Sequence, residues 1–183
     1  MSNHESKDYA DSVHVYLALA RTKDGMKTKC MRTVVKDPDV DLKVLELRCK
    51  LAGGIWRIHR TVNRRDTEKA RKWLLKKLID FPEGRGFIDS LWRTALLQPE
   101  CVYGTKCFLL DVDTKDQDKI SELVTRINTS MPSTVIDTIL KRVETPNGWH
   151  FITMPFDTRE VCNLPYVSLN RDGYTYIKTV GVL

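Results

Sequence analysis

No stretch of the 183-residue chain approaches the ~20 consecutive apolar residues needed to cross a bilayer. The start, Met1-Ser2-Asn3-His4-Glu5, has neither the basic end nor the apolar centre of a signal peptide, so the expectation is a soluble protein that stays in the cytoplasm. Glycine and proline are scarce, at nine and seven residues, which excludes collagen-like and low-complexity architectures. The five cysteines (Cys30, Cys49, Cys101, Cys107, Cys162) form an odd set without a Cys-x-x-Cys pair. Neither a disulfide framework nor a ribbon-type zinc site can be assembled from such spacing, and reduced thiols are the simplest account.

What is present suits a folded, basic protein. Apolar residues make up 42% of the chain and charged residues 30%, enough for a core and a solvated surface. The length leaves room for one compact domain with a second lobe, and the excess of six positive charges favours an anionic partner, nucleic acid before membrane.

Along the chain, a polar arm precedes an alternation at Val13, Val15, Leu17 and Leu19 that predicts a strand, and Asp24-Gly25 predicts a turn. A second strand is expected through Met31, Val34 and Val35. A helix is then expected from Asp37-Pro38-Asp39, with its apolar stripe at Val40, Val44, Leu47 and Leu51 and its stop at Gly53-Gly54. Ile55, Ile58 and Val62 mark a short strand with Arg57, His59 and Arg60 upon it. From Asp66, Ala70, Trp73, Leu74 and Leu78 have helical spacing, with Thr67 and Glu68 near the start and Lys76 and Lys77 near the end, the order that suits a helix dipole. Pro82-Glu83-Gly84 interrupts, and a further helix through Phe87, Ile88, Leu91, Trp92 and Leu96 stops before Pro99.

Beyond Gly104 the pattern is a strand (Cys107 to Asp113), a helix (Gln117 to Thr129), a long strand (Val135 to Val143) and a returning strand (His150 to Phe156). That order is the core of an open sheet with helices on one face. Tyr166 to Gly181 reads as one more hairpin around Asp172 and Gly173. The fold class is therefore α+β, with a basic N-terminal α/β lobe over 1–104 and a second lobe over 105–183.

The sharpest chemical feature is Phe108-Leu109-Leu110-Asp111-Val112-Asp113. Side chains alternate along a strand, so Asp111 and Asp113 project from one face about 7 Å apart. Two carboxylates so placed can hold Mg²⁺ or Mn²⁺, hard cations that take oxygen ligands and stabilise the charge on a phosphoryl group. The competing explanation is structural, with Asp113 capping the helix that follows Thr114. Asp116 and Asp118 read as cap and first-turn charge of that helix.

The second feature is Thr145-Pro146-Asn147-Gly148-Trp149-His150, a tight reversal that delivers His150 to the start of the returning strand, where it would share a face with Ile152, Met154 and Phe156. If this strand pairs with the one carrying Asp111, a histidine lies beside the acidic pair and can reach a phosphate or carry a proton. The alternative is an ordinary sheet histidine.

The two motifs, in this order and about 35 residues apart, resemble the archaeo-eukaryotic primase-polymerase superfamily, in which an apolar strand ends in Asp-x-Asp and a Thr-Pro-x-Gly-type turn leads to histidine. The resemblance covers about residues 105 to 181 and implies an RRM-like sheet of antiparallel or mixed strands. It also implies metal binding by Asp111 and Asp113 and contact of His150 with nucleotide phosphates. The family's third carboxylate, on a late strand, has no clear counterpart: Ser168 or Asn170 stands there, and Asp172 falls in an Asp-Gly turn. In size and basic character, though by no motif, the chain is also similar to a T-even phage type of endonuclease acting on single strands.

The missing acid ranks hydrolysis of single-stranded DNA first, nucleotide addition second, and a nucleic-acid-binding module without catalysis third. Arg57, Arg60, Arg64, Arg65 and Lys72, interleaved with Trp56 and Trp73, form a candidate phosphate track; the alternative is a solvated helix face with Trp73 in the core. His59-Arg-Thr61 and His150-Phe-Ile-Thr153 approximate paired His-x-Thr motifs, but the extra residue puts His150 and Thr153 on opposite faces of a strand.

Overall fold

A computed structural model of the protein describes residues 12–21, 27–35, 38–130 and 138–181. The polar arm, the turn at Asp24-Gly25, Asp37 and the first residues of the strand expected from Val135 lie outside them. The described residues form a mixed α+β structure with two sheets and five α-helices. The chain divides into two compact units, Met1–Thr105 with Ile177–Leu183, and Lys106–Tyr176.

In the first unit, β1 (Ser12–Ala20), β2 (Lys29–Val35), α1 (Pro38–Ala52), β3 (Trp56–Thr61) and β4 (Arg65–Asp66) lead into α2 (Thr67–Asp80) and α3 (Ile88–Leu96). A 3-10 turn, Pro82–Phe87, separates the last two helices where Pro82 was expected to interrupt. The strand order is β2-β1-β3, followed by the last strand of the chain, β9 (Tyr174–Val180), and β4 pairs with β1. β1 is central and antiparallel to β2, β3 and β4.

Both faces of β1 are covered, which explains why its burial is nearly continuous. Tyr16, Ala18 and Ala20 pack with Trp56, Ile58, Val180 and, from α1, Leu45 and Cys49. Val13 and Val15 pack on the other side with Ala70 of α2 and Ala95 and Leu96 of α3. The alternation at Val13 and Val15 thus marked only one of two buried faces. α2 begins as expected, with Asp66 as its N-cap accepting from the Lys69 amide at 2.9 Å, Glu68 in its first turn and Lys77 in its last.

α1 corrects the sequence reading. Its buried face is Leu45 and Cys49, with Leu42 partly covered, whereas Val40, Val44, Leu47 and Leu51 are 46–80% exposed. Two apolar stripes run along this helix, and the sheet takes the one carrying the smaller Cys49, which fits against Ala18 and Ala20. Trp56 is likewise a core residue, 2% exposed with its indole N–H donating to the Gly53 carbonyl, so it cannot stack on a base.

His14 sits on β1 with Nδ1–H donating to the Thr61 carbonyl at 3.0 Å. Its pKa is pushed down to about 4, by burial first and then by the positive charge of Arg60, against the opposing effect of the Thr61 bond. An unfolded histidine titrates near 6.5, so the unfolded chain takes up a proton that the folded chain refuses. The resulting stability is complete above about pH 6.5 and is lost as the pH falls through about 4, in all about 3 kcal/mol.

In the second unit, β5 (Phe108–Val112), α4 (Gln117–Thr129), β6 (Ile139–Glu144), β7 (Trp149–Thr153), α5 (Arg159–Cys162) and β8 (Val167–Asn170) follow one another. The sheet order is β6-β7-β5-β8 and every pair is antiparallel. Leu110, Val112, Phe151 and Val167 pack on Ile120, Leu123 and Ile127 of α4 and Val161 of α5, so both helices lie on one face of the sheet. The hairpin expected around Asp172 and Gly173 is not formed. β8 pairs with β5, while β9 lies beside β3 in the other sheet. β7 ends at Thr153, and Phe156 packs into the helix-side cluster rather than sharing the face of His150.

Two measurements check this description. Leu45→Ala should destabilise the protein by about 2–5 kcal/mol and Val44→Ala by no more than about 0.5 kcal/mol, read from urea denaturation, because only Leu45 leaves a cavity. His14→Asn keeps an N–H donor toward Thr61 and removes the titration, so the fall in unfolding free energy between about pH 6.5 and 4 should flatten.

Candidate active site

The face of the second sheet opposite α4 and α5 carries the polar residues. Register sets Val143, His150, Asp111 and Ser168 in one row across β6, β7, β5 and β8, and Lys141, Ile152, Leu109 and Asn170 in the next. Asp111 and His150 are therefore direct cross-strand partners, and His150 Nε2 lies 3.3 Å from Asp111 Oδ1.

The hydrogen bonds around His150 define its tautomer. The Tyr176 amide donates to Nδ1 at 3.0 Å, and the Thr175 hydroxyl is 3.3 Å from the same nitrogen. An N–H can only donate, so Nδ1 is the acceptor and the ring proton sits on Nε2, aimed at the Asp111 carboxylate. The His150 side chain is 9% exposed, with both nitrogens engaged, whereas the Asp111 side chain is 41% exposed and its Oδ2 has no protein donor among the described residues. His150 thus holds the carboxylate by one oxygen and leaves the other to solvent or a ligand.

Asp113 lies just past the end of β5. Its amide donates to the Tyr166 carbonyl at 2.9 Å, one step beyond the last paired residues of the ladder. The capping role that would have explained Asp113 structurally belongs to Asp116, whose carboxylate accepts from the Asp118 amide at 3.0 Å. Asp113 is exposed, with no ion pair or hydrogen bond to its side chain among the described residues.

The turn before β7 fixes this geometry from below. The Thr145 amide donates to the Gly148 carbonyl at 2.9 Å, and the Gly148 amide to the Thr145 hydroxyl at 3.0 Å. Gly148 has no positive φ; its constraint is proximity. A Cβ at this position would lie 2.0 Å from the Val112 carbonyl and 2.8 Å from the Thr114 amide, against the backbone that carries Asp113. Only glycine lets the turn lie on that segment.

Ser168 stands directly across β5 from Asp111, where the resemblance implies a third acid, and it is exposed. Asp172 is in the turn after β8, off the rows that contain Asp111. Among the described residues no group of three His, Cys, Asp or Glu side chains is gathered closely enough to hold a metal ion. The donor set is two carboxylates two residues apart at the end of β5, which suits an ion of the Mg²⁺ class that takes one or two carboxylates and completes its shell with water and substrate phosphates.

The five residues of the candidate phosphate track all lie in the first unit. Lys72 is exposed on α2 and Arg57 half-buried on β3. Arg60, three residues beyond Arg57, faces the opposite side of that strand. Arg64 reaches the Ser12 carbonyl at 3.5 Å. Arg65 is withdrawn from the candidate phosphate track: it is 1% exposed, enclosed where β4 pairs with β1 and bridges Val102, and its guanidinium serves the interior. Two residues of consequence escaped the sequence reading, Thr175 and Tyr176, because nothing local to them signals that they orient a histidine some 25 residues earlier.

Gly148→Ala should displace the Val112–Thr114 segment and destabilise the protein by about 1–3 kcal/mol. The check is a thermal melt together with amide chemical shifts, which should move at Asp113 and Thr114 and stay in place on α2.

No family model, no curated protein and no solved structure matches the chain.

Proposed function

We propose that the protein is a metal-dependent phosphoryl-transfer enzyme acting on nucleic acid, an endonuclease that cleaves single-stranded DNA with Mg²⁺ or Mn²⁺ on a primase-polymerase-like core. The observation that carries the reading is Asp111, half-exposed and held through Oδ1 by a buried histidine, with a second, exposed carboxylate, Asp113, two residues on. A structural acid would be spent on a cap or an ion pair; Asp113 is spent on neither.

A divalent ion at these carboxylates would supply charge stabilisation for the phosphoryl group under attack. The chain's own residues prepare for it. Asp111 and Asp113 would offer carboxylate oxygens, and the Nε2–H of His150 keeps the Asp111 carboxylate from rotating, as outer hydrogen bonds do for ligand carboxylates. With Nδ1 occupied by the Tyr176 amide, His150 acts as a positioning residue here and proton movement falls to solvent. Arg57, Arg60, Arg64 and Lys72 would contribute contacts to the DNA backbone.

Hydrolysis ranks ahead of nucleotide addition because Ser168, not an acid, faces Asp111 across β5. One observation favours a binding module instead, the engagement of both His150 nitrogens, which takes the histidine out of proton transfer.

The test incubates the protein with end-labelled single-stranded DNA and Mg²⁺ or Mn²⁺, with and without nucleoside triphosphates. Shortened products are expected, reduced about 10²–10³-fold by Asp111→Asn or Asp113→Asn and about 10- to 100-fold by His150→Gln. Longer products that require triphosphates would establish the nucleotidyltransferase. Unchanged DNA in every lane, with binding intact in the variants, would establish the module.

A further inference from the structure

The sheet of the first unit leaves one apolar stripe of α1 unused. Val40, Val44, Leu47 and Leu51 are 57%, 46%, 56% and 80% exposed, on the side of the helix opposite Leu42 and Cys49. Their intervals of four, three and four residues are the a and d spacing of a heptad repeat, carried over two heptads. At about 100° per residue the four side chains fall within about 60° of one another. A helix that settles on a sheet presents a broader stripe than this, and so narrow a seam is the one by which helices pair with helices.

The seam is edged by cations. Lys43 and Lys50 run along one rim and Arg48 lies on the other. All three are exposed, and none of their side chains has an ion pair or hydrogen bond among the described residues. Asp41 is the acid beside Arg48, while Glu46 is paired with Lys178 of β9. A second copy of this helix is a poor match for such rims. Laid parallel, Lys43 would face Arg48 of the copy; laid antiparallel, it would face Lys50, with only Asp41 and Arg48 attracting each other on the opposite rim.

We infer that the outward seam of α1 is a docking surface for an amphipathic helix of another protein, one with aliphatic residues at heptad spacing and acidic residues on both flanks. Carboxylates on such a helix would meet Lys43 and Lys50 on one rim and Arg48 on the other. The aliphatic residues hold the complex, with Val44 and Leu47 at the centre of a seam about 18 Å long. Ion pairs at the exposed rims add little to affinity; they speed encounter and turn away helices of the wrong charge. Neither the surface nor its test involves the carboxylates of the second unit.

The experiment titrates the full chain into a labelled synthetic peptide of three heptads with Leu at a and d and Glu at e and g, whose flanks oppose its own self-association. Fluorescence anisotropy reads the affinity, and methyl NMR of the valines and leucines reads the place. Saturable binding is expected, weakening as salt is added, with shifts at Val44, Leu47 and Leu51. The same peptide with Lys at e and g should bind at least about tenfold more weakly. Leu47→Gln should cost at least about tenfold in affinity and leave Tm unchanged, because the side chain is exposed in the free chain and glutamine suits a helix. Lys43→Glu combined with Lys50→Glu should move the preference toward the Lys peptide. Leu140→Gln, at an exposed leucine of the second unit, should change nothing. The inference is overturned if the two peptides bind equally, if Leu47→Gln binds like the native chain, or if the shifts fall outside α1. It is also overturned if the seam serves another occupant in place of the peptide. A dimer in sedimentation that Leu47→Gln abolishes would assign a second copy, and cosedimentation with phosphatidylserine vesicles that Leu47→Gln abolishes would assign a lipid surface.

Discussion

The alignment of His150 with Asp111 across β5 and β7 is the constraint on which the second unit's candidate site depends, and it is a matter of register. A slip of one residue would turn His150 toward α4 and bring Phe151 beside the carboxylates. Two features hold the register. The helix-side residues Leu110, Val112 and Phe151 belong to the core and cannot exchange places with the polar face. The turn at Thr145–Gly148 then closes against the backbone after Val112 so tightly that a methyl group would not fit. Hydrophobic packing and one glycine thereby determine where a carboxylate and an imidazole meet.

His14 and His150 show how backbone geometry chooses a tautomer. His14 faces a carbonyl, that of Thr61, and must present Nδ1–H to it. His150 faces an amide, that of Tyr176, and must present the Nδ1 lone pair. The proton of His150 is therefore available to a carboxylate, while His14 stays uncharged amid arginines. One residue type thus fills opposite roles, an acid's positioning donor in one unit and a neutral spacer among cations in the other.

Much of the organisation was legible in local pattern. The helix from Thr67 carried a cap and complementary end charges, and Phe108–Val112, Gln117–Thr129 and the strands that follow showed their periods plainly. The reading of α1 went wrong because Val40, Val44, Leu47 and Leu51 form as regular a stripe as Leu42, Leu45 and Cys49. Spacing identifies an amphipathic helix but not which of two apolar faces a small-residue sheet surface accepts. Trp56 and Arg65 misled for a related reason: a large aromatic or a guanidinium looks available for nucleic acid in a sequence, and burial is a property of neighbours.

Asp111, Asp113 and His150 stood out as candidates from the pattern of a strand and the chemistry of a turn, since both depend on residues adjacent in the chain. So were the cap role of Asp116 and the positive balance of charge. Tertiary structure alone decided that His150 lies opposite Asp111, that Thr175 and Tyr176 fix its ring, that Ser168 takes the place across β5, and that β8 and β9 enter different sheets. These are pairings between segments tens of residues apart, set by which faces bury one another, and no local spacing encodes them.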